Sequence, residues 1–140
     1  MNTELFNYIN ETYFKQTAVP IFEHFLKPEL VKLEEGYAEV MMKVKEDHLN
    51  LHRIIHGGVL SSLADLTMGT ACLSFKKSIV TTEMSVSFIK VVGAGSVLTA
   101  KAIVDNNGKN LMRTSCNIYN EEGKLILKSI ATFFILGPLN

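Results

Sequence analysis

A single carboxylate, Asp65, lies in an otherwise uncharged segment that runs from Gly57 to Phe75. The segment follows His56 and opens with the pair Gly57-Gly58, which leaves backbone N–H groups accessible at the start of a predicted helix. Such N–H groups can stabilise negative charge that develops on a carbonyl oxygen. A carboxylate can act on the same kind of carbonyl as a general base or as a nucleophile. These residue types at this spacing indicate acyl-transfer chemistry.

The segment that carries Asp65 has the length of a helix and is small or apolar all round. Such a helix is normally buried on most of its surface. Gly69 costs about 1 kcal/mol in a helix interior, which predicts a packing reason for it. A membrane span would carry a central Asp only at a cost of about 3 kcal/mol. We therefore expect the core helix of a soluble fold.

The other segments predict a single antiparallel sheet. The spacing of Leu5, Tyr8, Ile9 and Tyr13 predicts an amphipathic helix over residues 3–15, with Thr3 as its N-cap, and short helical turns follow over 20–30. Alternation of apolar and polar residues predicts strands over 37–45, 79–92, 96–105, 111–120 and 124–136. Short glycine-bearing connections favour antiparallel neighbours. The sequence thus predicts one strand, the buried helix and a four-strand meander in one domain over 1–140, of which 1–30 form an N-terminal helical segment.

Composition restricts the partners and the compartment. A chain of 140 residues predicts one domain with a real core. Lys plus Arg and Asp plus Glu number 14 each, so no net charge draws the chain to nucleic acid or to an anionic membrane. Two cysteines, Cys72 and Cys116, argue against a disulfide framework and fit a reducing, cytoplasmic setting. The N-terminal residues lack the features of a signal peptide, which fits the same setting.

The residues that could do chemistry form a fairly specific pattern: Asn50, then His56-Gly57-Gly58, then Asp65, then the segment Thr81-Thr82-Glu83-Met84-Ser85-Val86-Ser87-Phe88. With these residues the chain resembles the acyl-CoA thioesterases of the phenylacetate-pathway and human thioesterase-superfamily type. The likeness covers most of the chain. It implies an α+β hotdog fold, in which a curved antiparallel sheet wraps around one long central helix. It also implies hydrolysis of acyl-CoA thioesters without a metal or a redox cofactor.

The resemblance further implies individual roles. Gly57 would offer its backbone N–H to the thioester carbonyl, with help from Asn50 and His56. Asp65 would be the nucleophile or the general base that activates water, and the hydroxyl of Thr81, where some relatives have Ser, would assist it. The substrate-binding residues expected on the same basis are Gly58, Ser61, Thr82 and Met84.

The spacing of Gly57 and Asp65 predicts an oligomer. On one helix these two residues lie about 12 Å apart along the axis, so one thioester carbon cannot be within reach of both. If both act on the same substrate, they must come from different subunits whose helices run antiparallel across a two-fold axis. We therefore expect a homodimer with two shared sites, which could pair again into a homotetramer.

Less specific interpretations of the same residues stay open at this point. Asp65 could be a structural carboxylate bonded to a nearby hydroxyl, and His56-Gly57-Gly58 could be only a tight turn into a helix. His48, His52 and His56 recur every four residues, which on a helix would align their imidazoles for a metal. However, the surrounding residues suit a loop better, and no further ligand completes a set.

Two other function classes are also compatible with a hotdog fold. A non-catalytic acyl-CoA sensor generally carries a DNA-binding segment, and the chain has no basic helix that could serve as one. A dehydratase or hydratase usually pairs a His with a carboxylate near the central helix, and no His follows His56. Hydrolysis is therefore the favoured prediction, with the accepted acyl group left open.

Overall fold

The computed structural model describes residues 2–15 and 20–139, which form one antiparallel sheet with a long helix packed on one face. The described residues contain three α-helices: α1 (Thr3–Ile9), continued by a π-helical turn (Asn10–Phe14), α2 (Glu23–Leu26) and α3 (Gly57–Leu73). The six strands are β1 (Glu29–Glu34), β2 (Tyr37–Lys43), β3 (Lys77–Phe88), β4 (Val97–Asn107), β5 (Leu111–Tyr119) and β6 (Leu125–Pro138). Their order in the sheet is β1-β2-β4-β5-β6-β3.

The long helix α3 is the centre of the core, as its sequence predicts. Ten of its 17 residues are buried, among them Leu63 and Met68, which are fully buried. Burial of side chains of this size stabilises the fold by about 1.5–3 kcal/mol each. The hydroxyls of Thr67 and Thr70 donate to the carbonyls one turn earlier, so the helix can bury them without leaving a polar group unpaired. The helix ends at Leu73, slightly before the predicted end at Phe75.

The predicted four-strand meander is wrong for its first strand. Of the four strands in that meander, β4, β5 and β6 are neighbours in sequence and in space, whereas β3 pairs with β6 and forms an edge of the sheet. The chain leaves β3 at Phe88 and then bonds elsewhere: Val92 accepts from the N–H of Ile55, and Gly95 donates to Val44. These bonds carry the connection across to the side of β2, so it is a crossover and its glycines do not make a hairpin.

The N-terminal region differs from its prediction at two points. The N-cap of α1 is Asn2, whose side chain accepts from the N–H of Leu5, and the expected cap Thr3 is the first helical residue. Residues Glu29–Glu34 form strand β1, although helical turns were expected as far as residue 30. A register shift between Leu30 and Lys32 places Leu30 and Leu33 in the core and hides the period-two pattern. Residues 16–19 of the expected N-terminal segment lie outside the described residues.

Length and hydropathy decide whether a helix can span a bilayer. Within residues 2–15 and 20–139, no helix is long and apolar enough to cross a membrane.

Candidate active site

The carboxylate of Asp65 lies on the open side of α3 and faces the edge strand β3. The hydroxyl of Thr81 donates a hydrogen bond to Asp65 Oδ1 at 2.7 Å. Asp65 is half-buried, whereas Ala64 and Met68 of the same helix are fully buried. A bulge between Thr81 and Glu83 interrupts the pairing of β3 with β6, and bulges commonly re-aim side chains. The structure thus brings together two predicted site residues from different elements.

Asp65 and Thr81 line a pocket of about 300 Å³ between α3 and β3. Its other walls are mainly apolar and include Leu66, Ile79 and Phe133. Gly69 forms part of the wall, and a Cβ there would meet Phe133 at 3.6 Å and Ile79 at 3.7 Å. Both distances are ordinary van der Waals contacts, so the described residues do not require a glycine here and do not supply the packing reason expected for Gly69. An apolar pocket beside one carboxylate can hold an apolar group next to a reacting carbonyl.

The start of α3 forms a second group of polar atoms. His56 is the N-cap, and its Nδ1 accepts from the N–H of Gly58 at 2.8 Å, so this N–H is not available to a ligand. Since Nδ1 accepts, a neutral His56 carries its proton on Nε2. The N–H of Gly57 has no acceptor among the described residues. A Cβ at Gly57 would lie 3.2 Å from the ring of Phe88, an exposed side chain at the end of β3.

Asn50 stabilises the loop that leads into α3. Its Oδ1 accepts from the N–H of His52 at 2.8 Å, and its own N–H donates to the carbonyl of Ile54. With Oδ1 bound in this way, the side-chain NH₂ is the end of Asn50 that remains available for donation. A single β-bridge between Leu49 and Ile55 closes the loop.

The predicted residues therefore fall into two groups at different heights along α3. Asp65 and Thr81 are in direct contact, whereas Gly57, His56 and Asn50 lie at the N-terminal end. The helical rise of about 1.5 Å per residue again separates the two groups by about 12 Å.

The four expected substrate-binding residues are placed differently from one another. Gly58 is exposed at the helix start and Ser61 is half-buried on α3. Thr82 uses its hydroxyl to donate to the carbonyl of Thr132 on β6. Met84 is half-buried and packs against the core. Among the residues that line the Asp65 pocket, none of these four occurs.

The three regularly spaced histidines do not share a helix face. His48 ends a short 3₁₀ turn and is fully buried, with Nδ1 accepting from the N–H of Lys45 and Nε2 donating to the carbonyl of Phe25. Both of its ring nitrogens are therefore occupied by the backbone. His56 uses Nδ1 as the cap of α3, and His52 is an exposed loop residue. In the described part of the chain, no group of three or more His, Cys, Asp or Glu side chains is placed to hold a metal.

Tyr13 is a pocket residue that sequence reasoning placed only in an amphipathic helix. It lies on the π-helical turn and lines the same pocket as Asp65. Burial, and to a smaller extent the neighbouring Tyr8, raises the pKa of its hydroxyl above the ordinary value. The spacing of Tyr13 from Ile9 did not predict a position at the pocket, because the periodicity of an α-helix places both side chains on the same face, toward the core.

The family follows from comparison with known proteins. The sequence pattern of the Thioesterase superfamily matches residues 52–127, which is more than half of the chain. Acyl-coenzyme A thioesterase PaaI of Escherichia coli is 35% identical over 98 residues, 70% of this chain and 70% of that protein. Acyl-coenzyme A thioesterase 13 of Homo sapiens is 30% identical over 128 residues, 89% of this chain and 91% of that protein. The chain belongs to the Thioesterase superfamily, and its predicted class, a thioester hydrolase, is confirmed.

Solved structures agree with the fold. The Escherichia coli PaaI protein from the phenylacetic acid degradation operon matches with a TM-score of 0.88 and 27% identity, over 99% of this chain and 98% of that one. A hypothetical thioesterase of Streptococcus pneumoniae, solved with coenzyme A, matches with a TM-score of 0.79 and 29% identity, over 81% of this chain and 88% of that one. Structures of two mutants of that protein replace a threonine and an aspartate by alanine. The predicted hotdog fold is confirmed.

Proposed function

We propose that this chain hydrolyses acyl-CoA thioesters to a free acid and CoA, at a site that two subunits share. Asp65 and Thr81 of one subunit act together with Gly57, Asn50 and His56 of the other. The observation that carries the proposal is the 2.7 Å bond from Thr81 to Asp65 at the wall of an apolar pocket.

The contact between Asp65 and Thr81 suits a reacting carboxylate. The Thr81 hydroxyl bonds to Oδ1, which orients the carboxylate and leaves the lone pairs of Oδ2 for a water or a carbonyl carbon. The mutated threonine and aspartate of the pneumococcal protein are 16 residues apart, which is also the separation of Thr81 and Asp65. This agreement in residue type and spacing supports a joint role for the pair.

The coenzyme A part of the substrate is inferred from the relatives. Two of them are named acyl-coenzyme A thioesterases, and the pneumococcal protein was solved with coenzyme A. An apolar pocket of about 300 Å³ is large enough for an acyl group but not for the whole of an acyl-CoA, so the nucleotide would lie outside it.

The start of α3 supplies donors for the thioester oxygen. The N–H of Gly57 is free of acceptors in the described structure, and it lies at the positive end of the helix dipole. The NH₂ of Asn50 and the Nε2–H of His56 are further donors, since the other polar atom of each side chain is already bonded. Such preorganised donors stabilise the oxyanion of a tetrahedral intermediate.

An antiparallel homodimer would join the two groups. The incompletely covered side of α3, next to the edge strand β3, carries Gly58, Ser62, Asp65 and Gly69, at helical spacings of three and four, and none of them is fully buried. Among the described strands, β3 pairs only with β6, so its other edge offers backbone groups that a second copy could bind. A partner helix on this side would bring its own Gly57 toward Asp65.

The reaction balances in either of two ways for a carboxylate. As a base, Asp65 accepts a proton from water, the water oxygen adds to the thioester carbon, and the C–S bond breaks to release CoA thiolate, which is then protonated. As a nucleophile, an Asp65 oxygen displaces the thiolate first, and water hydrolyses the resulting anhydride. The thiolate is a good leaving group, so no acid is needed opposite Asp65.

The first test is Asp65→Asn in a thiol-release assay over short, medium, long and aromatic acyl-CoAs. Asparagine keeps an oxygen that can accept from Thr81, so we expect the fold and acyl-CoA binding to persist. Loss of the base or nucleophile lowers kcat by at least about 10²-fold.

Asp105→Asn is the matched control for this test, since Asp105 is an exposed carboxylate on β4 outside the Asp65 pocket. It should keep wild-type turnover. Near wild-type turnover by Asp65→Asn would instead make Asp65 a structural carboxylate. Wild-type binding of every acyl-CoA without any release of thiol would indicate a non-catalytic acyl-CoA-binding protein.

A further inference from the structure

The π-helical turn Asn10–Phe14 sets which side chains of the N-terminal segment reach the core. The N–H of Lys15 donates to the carbonyl of Asn10 at 2.9 Å, which is the bond of a π-turn. Ile9 and Phe14, five residues apart, are both buried and fix the turn on the core. In a regular α-helix, Tyr13 would share the face of Ile9 instead.

Because of this turn, Tyr13 lies beside the core and at the pocket of Asp65. Its ring is half-buried and forms one wall, opposite walls that come from α3 and the sheet. The ring is thus held by the backbone turn and its buried neighbours, and it occupies space that an acyl group could otherwise use.

We propose that Tyr13 is the specificity-determining residue of the acyl pocket, and that it limits the substrate to compact acyl groups, short or aromatic. The proposal rests on hydrolysis at Asp65, as argued above. A pocket of about 300 Å³ is at the lower end of the range for ligand sites, which agrees with a compact acyl group. A flat ring beside the apolar walls Leu66, Ile79 and Phe133 also suits an aromatic acyl group.

The test measures kcat/KM for straight-chain acyl-CoAs from acetyl to dodecanoyl, and for benzoyl-CoA, with the wild-type chain and four variants. For the wild-type chain, kcat/KM should fall once the acyl group is too long to fit in the pocket. Tyr13→Ala should move this fall to longer chains, with a gain of up to about fourfold for each additional methylene that the enlarged pocket buries. The gain should appear mainly as a lower KM for the longer chains. Tyr13→Phe keeps the ring and should keep the wild-type profile.

Tyr8→Ala is the matched control, because Tyr8 is on the same segment but does not line the pocket. It should keep the wild-type profile. Tyr13→Leu retains more buried area than Ala but is shorter than Tyr, so it gives the same test if Tyr13→Ala does not fold.

The outcomes separate this inference from the proposed function. An unchanged chain-length profile in both Tyr13→Ala and Tyr13→Leu, with activity that still depends on Asp65, would overturn the role of Tyr13 alone. An equal shift in Tyr8→Ala would show that the segment acts as a whole and would also overturn it. A wild-type chain that hydrolyses none of the acyl-CoAs would overturn the proposed function itself.

Discussion

A shared site predicts that two inactive chains can restore each other. The first chain carries Asp65→Asn, which removes the carboxylate, and the second carries Gly57→Val. A Cβ at position 57 would meet the Phe88 ring at 3.2 and 3.4 Å. Since Phe88 is exposed it can turn away, so the valine folds but covers the space in front of the Gly57 N–H. Each homodimer should lose at least about 10²-fold in turnover.

The expected recovery follows from the two-fold symmetry. In a heterodimer, one site receives both intact groups and the other receives both defects. Random pairing of equal amounts makes half of the dimers heterodimers, so about a quarter of all sites are intact. The mixture should therefore reach about a quarter of the wild-type rate, a rise of about 25-fold over either variant alone.

The assay follows thiol release after subunit exchange, with heterodimer formation verified by native mass spectrometry. Asp65→Asn mixed with Thr81→Val is the matched control, since Asp65 and Thr81 touch within one chain and no heterodimer site would contain both intact. This mixture should show no gain. If the Asp65→Asn and Gly57→Val mixture also shows no gain after exchange, each site is built within one chain and the shared arrangement is wrong.

Two further predictions concern stability. Burial raises the pKa of the Cys72 and Cys116 thiols to about 12 each, from an ordinary value of 9.0, so near pH 10 the folded state keeps both thiols protonated while the unfolded chain ionises them. Stability should therefore be unaffected below pH 8 and fall by about 1 kcal/mol per thiol at pH 10. Urea unfolding at pH 7 and at pH 10 measures this loss, which should be smaller in Cys116→Ala. His48→Ala should cost about 2–4 kcal/mol at pH 7, because it leaves the Lys45 N–H and the Phe25 carbonyl without partners. The exposed His52→Ala should stay within about 0.5 kcal/mol of wild type, and equal losses in both variants would refute this structural role of His48.

The central helix could be predicted from sequence because its signal is local. Helix length, burial and the lone charge can all be inferred from one segment, which contains Gly57, Asp65 and the small residues between them. Strand β1 carried a weaker signal, since its register shift near Leu30 breaks the alternation on which a strand prediction depends. The apolar residues Phe22 and Phe25 shortly before it favoured a prediction of helical turns as far as residue 30.

The sheet order could not be predicted, because it depends on long-range bonds. The segment Gly93-Ala94-Gly95 looks like a hairpin connection, but the bonds of Val92 with Ile55 and of Gly95 with Val44 lead the chain to another strand. Tyr13 was missed for a related reason. A π-turn is not visible in a 3.6-residue periodicity. It shows in the hydrogen bond from Lys15 to Asn10 and in the burial of both Ile9 and Phe14.

Strand β3 contacts both groups of site residues in one chain, and in the proposed dimer each group belongs to a different site. The strand runs from Thr81, which bonds Asp65, to Phe88, which covers Gly57. If Gly57 of one chain faces Asp65 of its partner, two-fold symmetry places the axis midway between them, near Ser61. Ser61 is small and half-buried, so two antiparallel helices could approach closely at this point. The small residues of α3 would then serve two purposes, since they pack against the sheet on one side and allow the close helix contact that completes the site on the other.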